Sequence, residues 1–173
     1  MTPNELRGAI VTLRLAREAD LGPFATMLAT PEVARWWPAY DRARVDAEFL
    51  AVEPGYTVHA IELDGRVVGM IQTSEEDEPE FRHATIDLFV DPAVQGRGLG
   101  PDAIRTVARD LFERRGHHRL TVDPAADNDR AIRAYEKVGF RRVGRLRGYQ
   151  RFPDGSWRDG LLMELLAEEM RDG

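Results

Sequence analysis

The sequence predicts a single α/β (α+β) domain over residues 1–173, and three observations support that prediction. The 173 residues are 43% hydrophobic and 31% charged, the balance of a globular chain with a sizeable core. Short runs rich in β-forming residues alternate with segments of helical period. Asp64-Gly65 separates two such runs and is typical of a tight hairpin turn. In outline, the predicted order is β-α-α-β-β-β-α-β-α-β-β.

The first part of the chain reads as one strand, helical stretches and a hairpin. Residues 11–15 alternate as an edge strand does. The helical stretches cover residues 16–30, 31–37 and 41–52. Pro31 stands at a favourable first-turn position of the second stretch. The hairpin strands cover residues 57–63 and 67–73.

The second part of the chain alternates strands and helices more regularly. Its clearest element is a helix over 99–112, where Ala103, Val107 and Leu111 recur on one face and charged residues occupy the other. Gly139 stands at the C-cap of a second helix. The remaining elements are a strand over 85–90, a strand over 118–122, a helix over 128–138 and final strands over 141–150 and 161–165.

A glycine-rich turn, Gln95-Gly-Arg-Gly-Leu-Gly100, joins the strand 85–90 to the long helix. Glycines at a helix N-terminus let unpaired backbone N–H groups converge on a phosphate at the positive end of the helix dipole. The turn therefore predicts a site for a phosphate-bearing ligand. It is not a Walker A loop, because Pro101 and Asp102 follow Gly100 and no lysine is present. It is not a dinucleotide fingerprint either, because Pro101 replaces the third glycine.

Composition excludes several other classes of function. The chain has no cysteine, so it has no disulfide, thiolate metal ligand or cysteine nucleophile. Its four histidines lack metal-ligand spacing, and we predict no metal. The net charge of −6 disfavours nucleic acid and favours a cationic partner. No apolar run has transmembrane length and no signal-peptide pattern opens the sequence, so we expect no membrane partner and a cytoplasmic location.

Two local features fit either a binding site or ordinary surface. The acidic segment, residues 75–80, carries five carboxylates before the strand 85–90. It is either a solvated hairpin loop or an electrostatic funnel for an amine. Trp36 and Trp37 are adjacent, so they cannot both point into the core from one helix face. We expect one of them at a pocket rim, as a ligand-stacking wall or as cover for the core edge.

Two motifs carry a family resemblance. Gln95, Gly98 and Gly100 match the pattern Q/R-x-x-G-x-G/A, and residues 128–140 match N-x-x-A-x-x-x-Y-x-x-x-G-F. The sequence thus resembles the GNAT superfamily of N-acetyltransferases, which implies a mixed, mostly antiparallel sheet flanked by helices, with acetyl-CoA as cofactor. The cofactor-binding residues implied by the resemblance are Leu88, Phe89, Val90, Gln95, Gly96, Arg97, Gly98, Leu99, Gly100, Asn128, Ala131 and Tyr135.

Within that superfamily, the sequence is most similar to the aminoglycoside 6′-N-acetyltransferases. The similarity lies in short strings such as Val33-Ala-Arg-Trp-Trp37, Ile86-Asp87 and Pro153-Asp-Gly155. It implies that the partner is a polycationic small-molecule amine. The substrate-binding residues implied by this similarity are Trp36, Trp37, Gln72, Asp87, Asp123 and Asp154.

The chemistry of acetyl transfer suggests roles for two residues. An ammonium group must lose a proton before it attacks a thioester, and the leaving thiolate must gain one. Asp87 lies on the strand that leads to the glycine turn, with a facing opposite to Ile86 and Leu88. We take it as the candidate base acting through water, although a solvated or salt-bridged carboxylate is the plainer alternative. Tyr135 is the candidate acid, and backbone N–H groups of residues 88–90 would polarise the thioester carbonyl.

Other classes of function remain open at this point. A protein N-terminal or lysine acetyltransferase, or a polyamine acetyltransferase, would share the chemistry and differ at the substrate mouth. A non-catalytic CoA-binding regulator would keep the glycine turn without needing Asp87 or Tyr135. The sequence is compatible with a monomer or a homodimer.

Overall fold

Residues 5–50 and 53–171 are described by a computed structural model, and they form one mixed sheet of eight strands with helices packed on it. The strands are β1 (Leu6–Arg7), β2 (Thr12–Leu15), β3 (Tyr56–Leu63), β4 (Arg66–Glu76), β5 (His83–Val90), β6 (Arg119–Val122), β7 (Arg141–Arg151) and β8 (Trp157–Leu166). The α-helices are α1 (Glu18–Leu28), α2 (Pro31–Ala34), α3 (Arg42–Phe49), α4 (Leu99–Arg109) and α5 (Asp129–Val138). A π-helical turn, Asp110–Arg114, continues α4.

The predicted fold class is confirmed, with differences at the N-terminal end of the element order. A two-residue strand, β1, precedes the predicted first strand, and it is too short to leave a periodic pattern. Three helices stand between β2 and the hairpin, which agrees with the three predicted helical stretches, although the outline order counted two. The second of them ends at Ala34 rather than at residue 37. The predicted helix over 41–52 is observed as α3, and its last two positions lie outside the described residues.

The sheet has the order β1-β2-β3-β4-β5-β6-β8-β7, and among the described strands β5 and β6 form the parallel pair. That pair is short. Its register joins Ala84 to Leu120 and Thr85 to Thr121, and β5 then continues to Val90 while β6 ends at Val122. The two halves of the sheet therefore separate beyond Thr85, and a cleft opens between them.

Each face of the sheet has its own hydrophobic core, and the alternation of β5 divides its residues between them. Ile86 is buried with α4 and α5, whereas Phe89 is buried with the aromatic residues of α1 and α3. Asp87 shares the Phe89 face because successive strand side chains point to opposite sides. This agrees with the facing predicted from the sequence. In the described part of the chain, no helix is long and apolar enough to span a membrane.

The start of α4 is held by the segment that precedes β2. The carboxylate of Asp102, in the first turn of α4, accepts hydrogen bonds from the N–H groups of Ala9, Ile10 and Val11 at 3.0, 2.7 and 2.9 Å. Asp102 is buried, so these bonds satisfy a carboxylate that would otherwise be costly to remove from water. The contact fixes the helix end that borders the cleft.

We expect Gly8→Ala to destabilise the fold, because a Cβ at Gly8 would overlap the Asp102 carboxylate and come within 2.5 Å of Thr106 Oγ1. Steric overlap of this kind costs about 1–3 kcal/mol. Urea unfolding should show a lower midpoint at constant slope. The control is Gly144→Ala, where a Cβ would meet no atom within 4 Å. Equal midpoints for the two variants would contradict this account of the segment.

Candidate active site

The cleft between β5 and β6 has a volume of about 1200 Å³. It is lined by residues 32–40, by the middle of β4 and the end of β5, by the start of α4, by one side of α5 along its length, and by the end of β7. The sequence-predicted residues that line it are Trp36, Trp37, Gln72, Asp87, Leu88, Phe89, Val90, Gln95, Gly96, Gly98, Leu99, Gly100, Asp123, Asn128, Ala131 and Tyr135. The splay of the sheet thus brings together residues from six separate segments of the chain.

The glycine turn has the geometry of an anion site. Gly96 and Gly98 have φ of 80° and 82°, in the left-handed region that favours glycine. Gly98 is the N-cap of α4, so the first N–H groups of that helix have no acceptor within it. A Cβ at Gly96 or Gly100 would meet no atom within 4 Å. The backbone is therefore open to a diphosphate, and the residues present fit coenzyme A.

The side chain of Gln95 is used within the protein. Its Nε2 donates to the carbonyl of Val90 at 2.8 Å, and its Oε1 accepts from Arg130 on α5. Gln95 therefore ties the turn to both sides of the cleft, which leaves backbone groups to face the ligand. Arg97 was predicted among the cofactor residues, but it is exposed and does not line the cleft. The left-handed glycines on either side of it let its side chain point away.

Helix α5 contributes a stripe of residues to the cleft. Asn128 is the N-cap, and its Oδ1 accepts from the N–H of Ala131 at 3.2 Å. Ala131 is small and half-buried, while Tyr135 is 4% exposed and packs edge-on against Phe140. The Tyr135 hydroxyl has no hydrogen-bond partner within residues 5–50 and 53–171. It is thus available to a ligand in the cleft.

Asp87 lies on the floor of the cleft, in register with Gln72 on β4. Its Oδ1 accepts from the N–H of Leu88 at 2.9 Å. Burial, followed by the negative charge of Asp123, raises the pKa of Asp87 from 3.8 to about 7, and the Leu88 hydrogen bond opposes that rise. Asp87 forms no salt bridge in the described part of the chain, so the salt-bridged alternative does not hold, and the solvated alternative stays open.

Asp123 follows β6 and faces the same cleft. The hydroxyl of Tyr149, on β7, donates a hydrogen bond to Asp123 Oδ2. This bond and partial burial raise the pKa of Tyr149 from 10.0 to about 12. Burial and the charges of Asp87 and Asp123 raise the pKa of Tyr135 well above 10.0. The sequence analysis missed Tyr149, which no local motif marks.

The two tryptophans differ in their surroundings. Trp37 packs against Tyr40 and Phe89, with ring centroids 5.6 and 5.5 Å away. Trp36 is covered by the guanidinium of Arg35, 4.7 Å from its ring. Both are half-buried and line the cleft, so Trp37 anchors this wall in the aromatic core and Trp36 borders the opening.

Two groups of predicted substrate carboxylates lie elsewhere. Asp154 is exposed in the β7–β8 turn, outside the cleft lining, and its carboxylate accepts from the backbone and hydroxyl of Ser156. The acidic segment does not line the cleft either. Its Glu75 pairs with Arg115 and, at 2.7 Å, with His117. Asp154 is in the β7–β8 turn, and strand alternation places Glu75 on the face of β4 opposite to Gln72, so neither charge lies beside Asp87.

The cleft lining carries more basic than acidic side chains, which the net charge of the chain does not reveal. The acidic residues are Glu32, Asp87 and Asp123. The basic residues are Arg35, Arg44, Arg130, Arg133, Lys137 and Arg151. Three of these belong to α5, beside the turn that fits a diphosphate. The carboxylates Asp87 and Asp123 belong instead to β5 and to the segment after β6.

Comparison with known proteins agrees with this geometry. Residues 24–140 match the family model described as Acetyltransferase (GNAT) family. The aminoglycoside N(6′)-acetyltransferase type 1 of Klebsiella pneumoniae is 31% identical over 153 residues, covering 78% of this chain and 75% of that protein. The N-alpha-acetyltransferase RimI of Mycobacterium tuberculosis is 38% identical over 73 residues, covering 42% of this chain and 44% of that protein.

A solved structure extends the comparison to the whole fold. Aminoglycoside acetyltransferase AAC(6′)-Ib, in complex with coenzyme A and kanamycin, is similar with a TM-score of 0.76 and 28% identity, over 92% of this chain and 96% of that one. Fold and cleft together define an acyl-transferring enzyme that uses coenzyme A. The chain belongs to the GNAT family of acetyltransferases. It is an acetyl-CoA-dependent N-acetyltransferase.

Proposed function

We propose that this enzyme acetylates a primary amine of a polycationic small molecule, and that the 6′-amine of an aminoglycoside antibiotic is the first candidate. The observation that carries the proposal is the pair Asp87 and Asp123, which share the cleft beneath Trp36 and Trp37. Each carboxylate has one oxygen without a hydrogen-bond partner among the described residues. Two such oxygens suit a reacting amine and a neighbouring cation.

Asp87 acts as the base in this proposal. When bound, acetyl-CoA supplies the acetyl group as a thioester, whose carbonyl carbon the amine attacks. A carboxyl with a pKa of about 7 is largely ionised at slightly alkaline pH and still accepts a proton readily. Asp87 takes the proton that the substrate nitrogen must lose, directly or through one water. Successive N–H groups of a strand point to opposite edges, and the N–H of Asp91 donates to Val68 on β4. Among residues 88–90, the N–H groups of Leu88 and Val90 therefore face the unpaired side of β5 and would polarise the carbonyl oxygen.

Tyr135 acts as the acid that returns a proton to the sulfur. Its raised pKa keeps the phenol protonated throughout the neutral range. The cofactor is held by backbone groups of residues 96–100 and flanked by Asn128 and Ala131, with Gln95 bracing the turn. The side chain of Arg97 and the carboxylate of Asp154 have no part in this arrangement, since they lie outside the cleft lining, whereas the backbone of Arg97 belongs to the turn.

Tyr135→Phe should lower kcat by about 10- to 100-fold, because it removes the proton donor and keeps the ring. Affinity for CoA and the melting temperature should change little, since the hydroxyl has no partner in the described protein. Single-turnover kinetics measures the chemical step, and calorimetry measures CoA binding. An unchanged rate of acetyl transfer would reduce Tyr135 to a packing residue.

A second candidate function is acetylation of a protein N-terminus or lysine. Arg35 and Arg151 line the cleft and have no carboxylate partner in the described ranges. Such groups would suit the carbonyl or carboxylate oxygens of a peptide better than a polycation. This is the specific observation in favour of a peptide, whereas the paired carboxylates favour a polycation.

Mass spectrometry of acetyl transfer separates the two candidates. The purified enzyme is given acetyl-CoA with kanamycin, tobramycin, spermidine or a short unblocked peptide, at equal concentrations. We expect a mass increase of one acetyl group on an aminoglycoside, with fragmentation placing it on the 6′-amine. Transfer to the peptide alone, by enzyme that binds CoA, would replace the first proposal with the second.

A further inference from the structure

A wide irregularity in β7 directs one side chain across the sheet into the cleft. Leu146 pairs with Gly160 and Gln150 pairs with Arg158, so residues 147–149 stand opposite Asp159 alone. Gly148, at the centre, has φ of 56° in the left-handed region. Such insertions bend a strand and re-aim its side chains. Here the residue that is re-aimed is Tyr149.

The irregularity is held in place by Asp159 on β8. One carboxylate oxygen accepts from the N–H of Gly148 at 2.7 Å, and the other accepts from Arg145 Nε at 2.6 Å. These bonds satisfy a backbone group that the interrupted ladder leaves unpaired. The distortion of β7 is therefore a defined structure rather than a frayed strand end.

The Tyr149 ring lies against the backbone of the neighbouring strand. A Cβ at Gly160 would come within 2.9 Å of Tyr149 Cδ1, so the ring occupies space that the absence of a side chain leaves free. Gly160 is buried, and its neighbours fix the segment after Asp123: Leu161 N–H donates to Pro124 at 2.8 Å, and Ala126 N–H donates to Asp159 at 2.9 Å. The Tyr149 ring and the segment that follows Asp123 are thus both held against β8.

We infer that Tyr149 is a positioning residue that holds Asp123 in the orientation that recognises a second positive charge on the substrate. Its hydroxyl binds Oδ2, which turns the unpartnered Oδ1 toward the cleft that Asp87 also lines. Without the phenol, the Asp123 side chain could rotate and present either oxygen to solvent. The inference takes from the proposed function that the substrate is a polycationic amine. It adds how the enzyme distinguishes a polyamine from a monoamine.

The test compares the wild-type enzyme with Tyr149→Phe, on spermidine and on n-propylamine. Because a hydrogen bond to a charged group is among the stronger ones, its loss should raise KM for spermidine by about 10-fold or more. The KM for n-propylamine and the kcat for both amines should stay within about twofold, because a monoamine does not use the second site. In an Asp123→Asn background, Tyr149→Phe should have no further effect.

A spectroscopic titration checks the hydrogen bond without turnover. The ionisation of Tyr149 is measured as the difference in phenolate absorbance between a protein and the same protein with Tyr149→Phe. Tyr149 should ionise near pH 12 in the wild type and at lower pH in Asp123→Asn. The control variant is Tyr56→Phe. Tyr56 is 47% exposed, similar to Tyr149 at 50%, and Tyr56 lies outside the cleft lining. This variant should alter neither KM.

Each remaining outcome has a defined meaning. Equal rises in KM for spermidine and n-propylamine, or an unchanged KM for both, would overturn the inference. In either case, acetyl transfer to spermidine would still support the proposed function. An unshifted titration of Tyr149 in Asp123→Asn would also overturn it. Failure of calorimetry to detect binding of both spermidine and kanamycin to the enzyme with CoA would overturn the inference and the proposed function together.

Discussion

Asp87→Asn should lower kcat by about 10²- to 10⁴-fold, the usual contribution of a positioned general base. Asparagine preserves the shape of the side chain and cannot take a proton from the amine. Because Asp87 faces the α1–α3 side of the sheet, the glycine turn should keep its affinity for CoA. In the wild type, the acidic limb of the kcat/KM profile should have an apparent pKa of about 7, and the variant should lack it.

The same substitution should stabilise the protein at slightly alkaline pH. The pKa of Asp87 is about 7 in the folded state and near 3.8 when the chain unfolds, so folded protein holds this proton more tightly. Stability contributed by this group therefore falls as pH rises from 3.8 to about 7, and stays low above that range. Three pKa units correspond to about 4 kcal/mol, and contact of the half-buried carboxyl with solvent reduces our expectation to about 2 kcal/mol.

Thermal unfolding of wild type and Asp87→Asn at pH 5 and pH 8.5 measures this effect. We expect a melting temperature about 4–8 °C higher for the variant at pH 8.5, and a smaller difference at pH 5. Asp46→Asn is the control, because Asp46 is an exposed α3 carboxylate paired with Arg42, away from the cleft. A normal kcat in Asp87→Asn would show that Asp87 is not the base. A lower melting temperature for Asp87→Asn than for the wild type at pH 8.5 would contradict the claim that the ionised carboxylate destabilises the fold because it is buried.

Local sequence patterns predicted the parts of the site that depend on local geometry. The facing of Asp87 followed from the period of two in a strand, and it holds because Ile86 and Phe89 pack into different cores. The anion site followed from Gly98 and Gly100 before an amphipathic helix, and the left-handed φ of Gly98 agrees with it. These features depend on residues that are neighbours in the chain, so residue type and spacing are enough to predict them.

The parts that were missed depend on pairings between distant segments. Tyr149 reaches Asp123 because three residues of β7 stand opposite one of β8, and nothing in residues 147–149 alone reveals that register. The sequence placed Glu75 in an acidic segment that could be a solvated loop or a funnel for an amine, yet its position across from Arg115 and His117 decides where its charge acts. Charge counts over a whole chain likewise cannot show that arginines outnumber carboxylates in one cleft.

The glycine turn allows a sharp test of cofactor binding, provided that the right glycine is chosen. A side chain at Gly98 would be strained by φ of 82°, at a cost of about 1–3 kcal/mol, so loss of stability would obscure any loss of binding. Gly100 lies in the first turn of α4 without a positive φ, and a Cβ there would meet no atom within 4 Å. A substitution at Gly100 therefore probes the open space in front of the helix.

Gly100→Leu should reduce CoA affinity by at least about 100-fold, equivalent to about 2.7 kcal/mol, because the side chain fills the space through which a diphosphate reaches the helix N–H groups. The fold should gain slightly, since leucine is a better helix former than glycine by up to about 1 kcal/mol. Calorimetry with CoA and thermal unfolding measure the two effects. Gly22→Leu in α1 is the matched control: it is a helical glycine outside the cleft lining, with Arg42 Nη1 as its nearest neighbour at 3.9 Å. It should leave CoA binding unchanged, and full CoA affinity in a folded Gly100→Leu variant would place the diphosphate elsewhere.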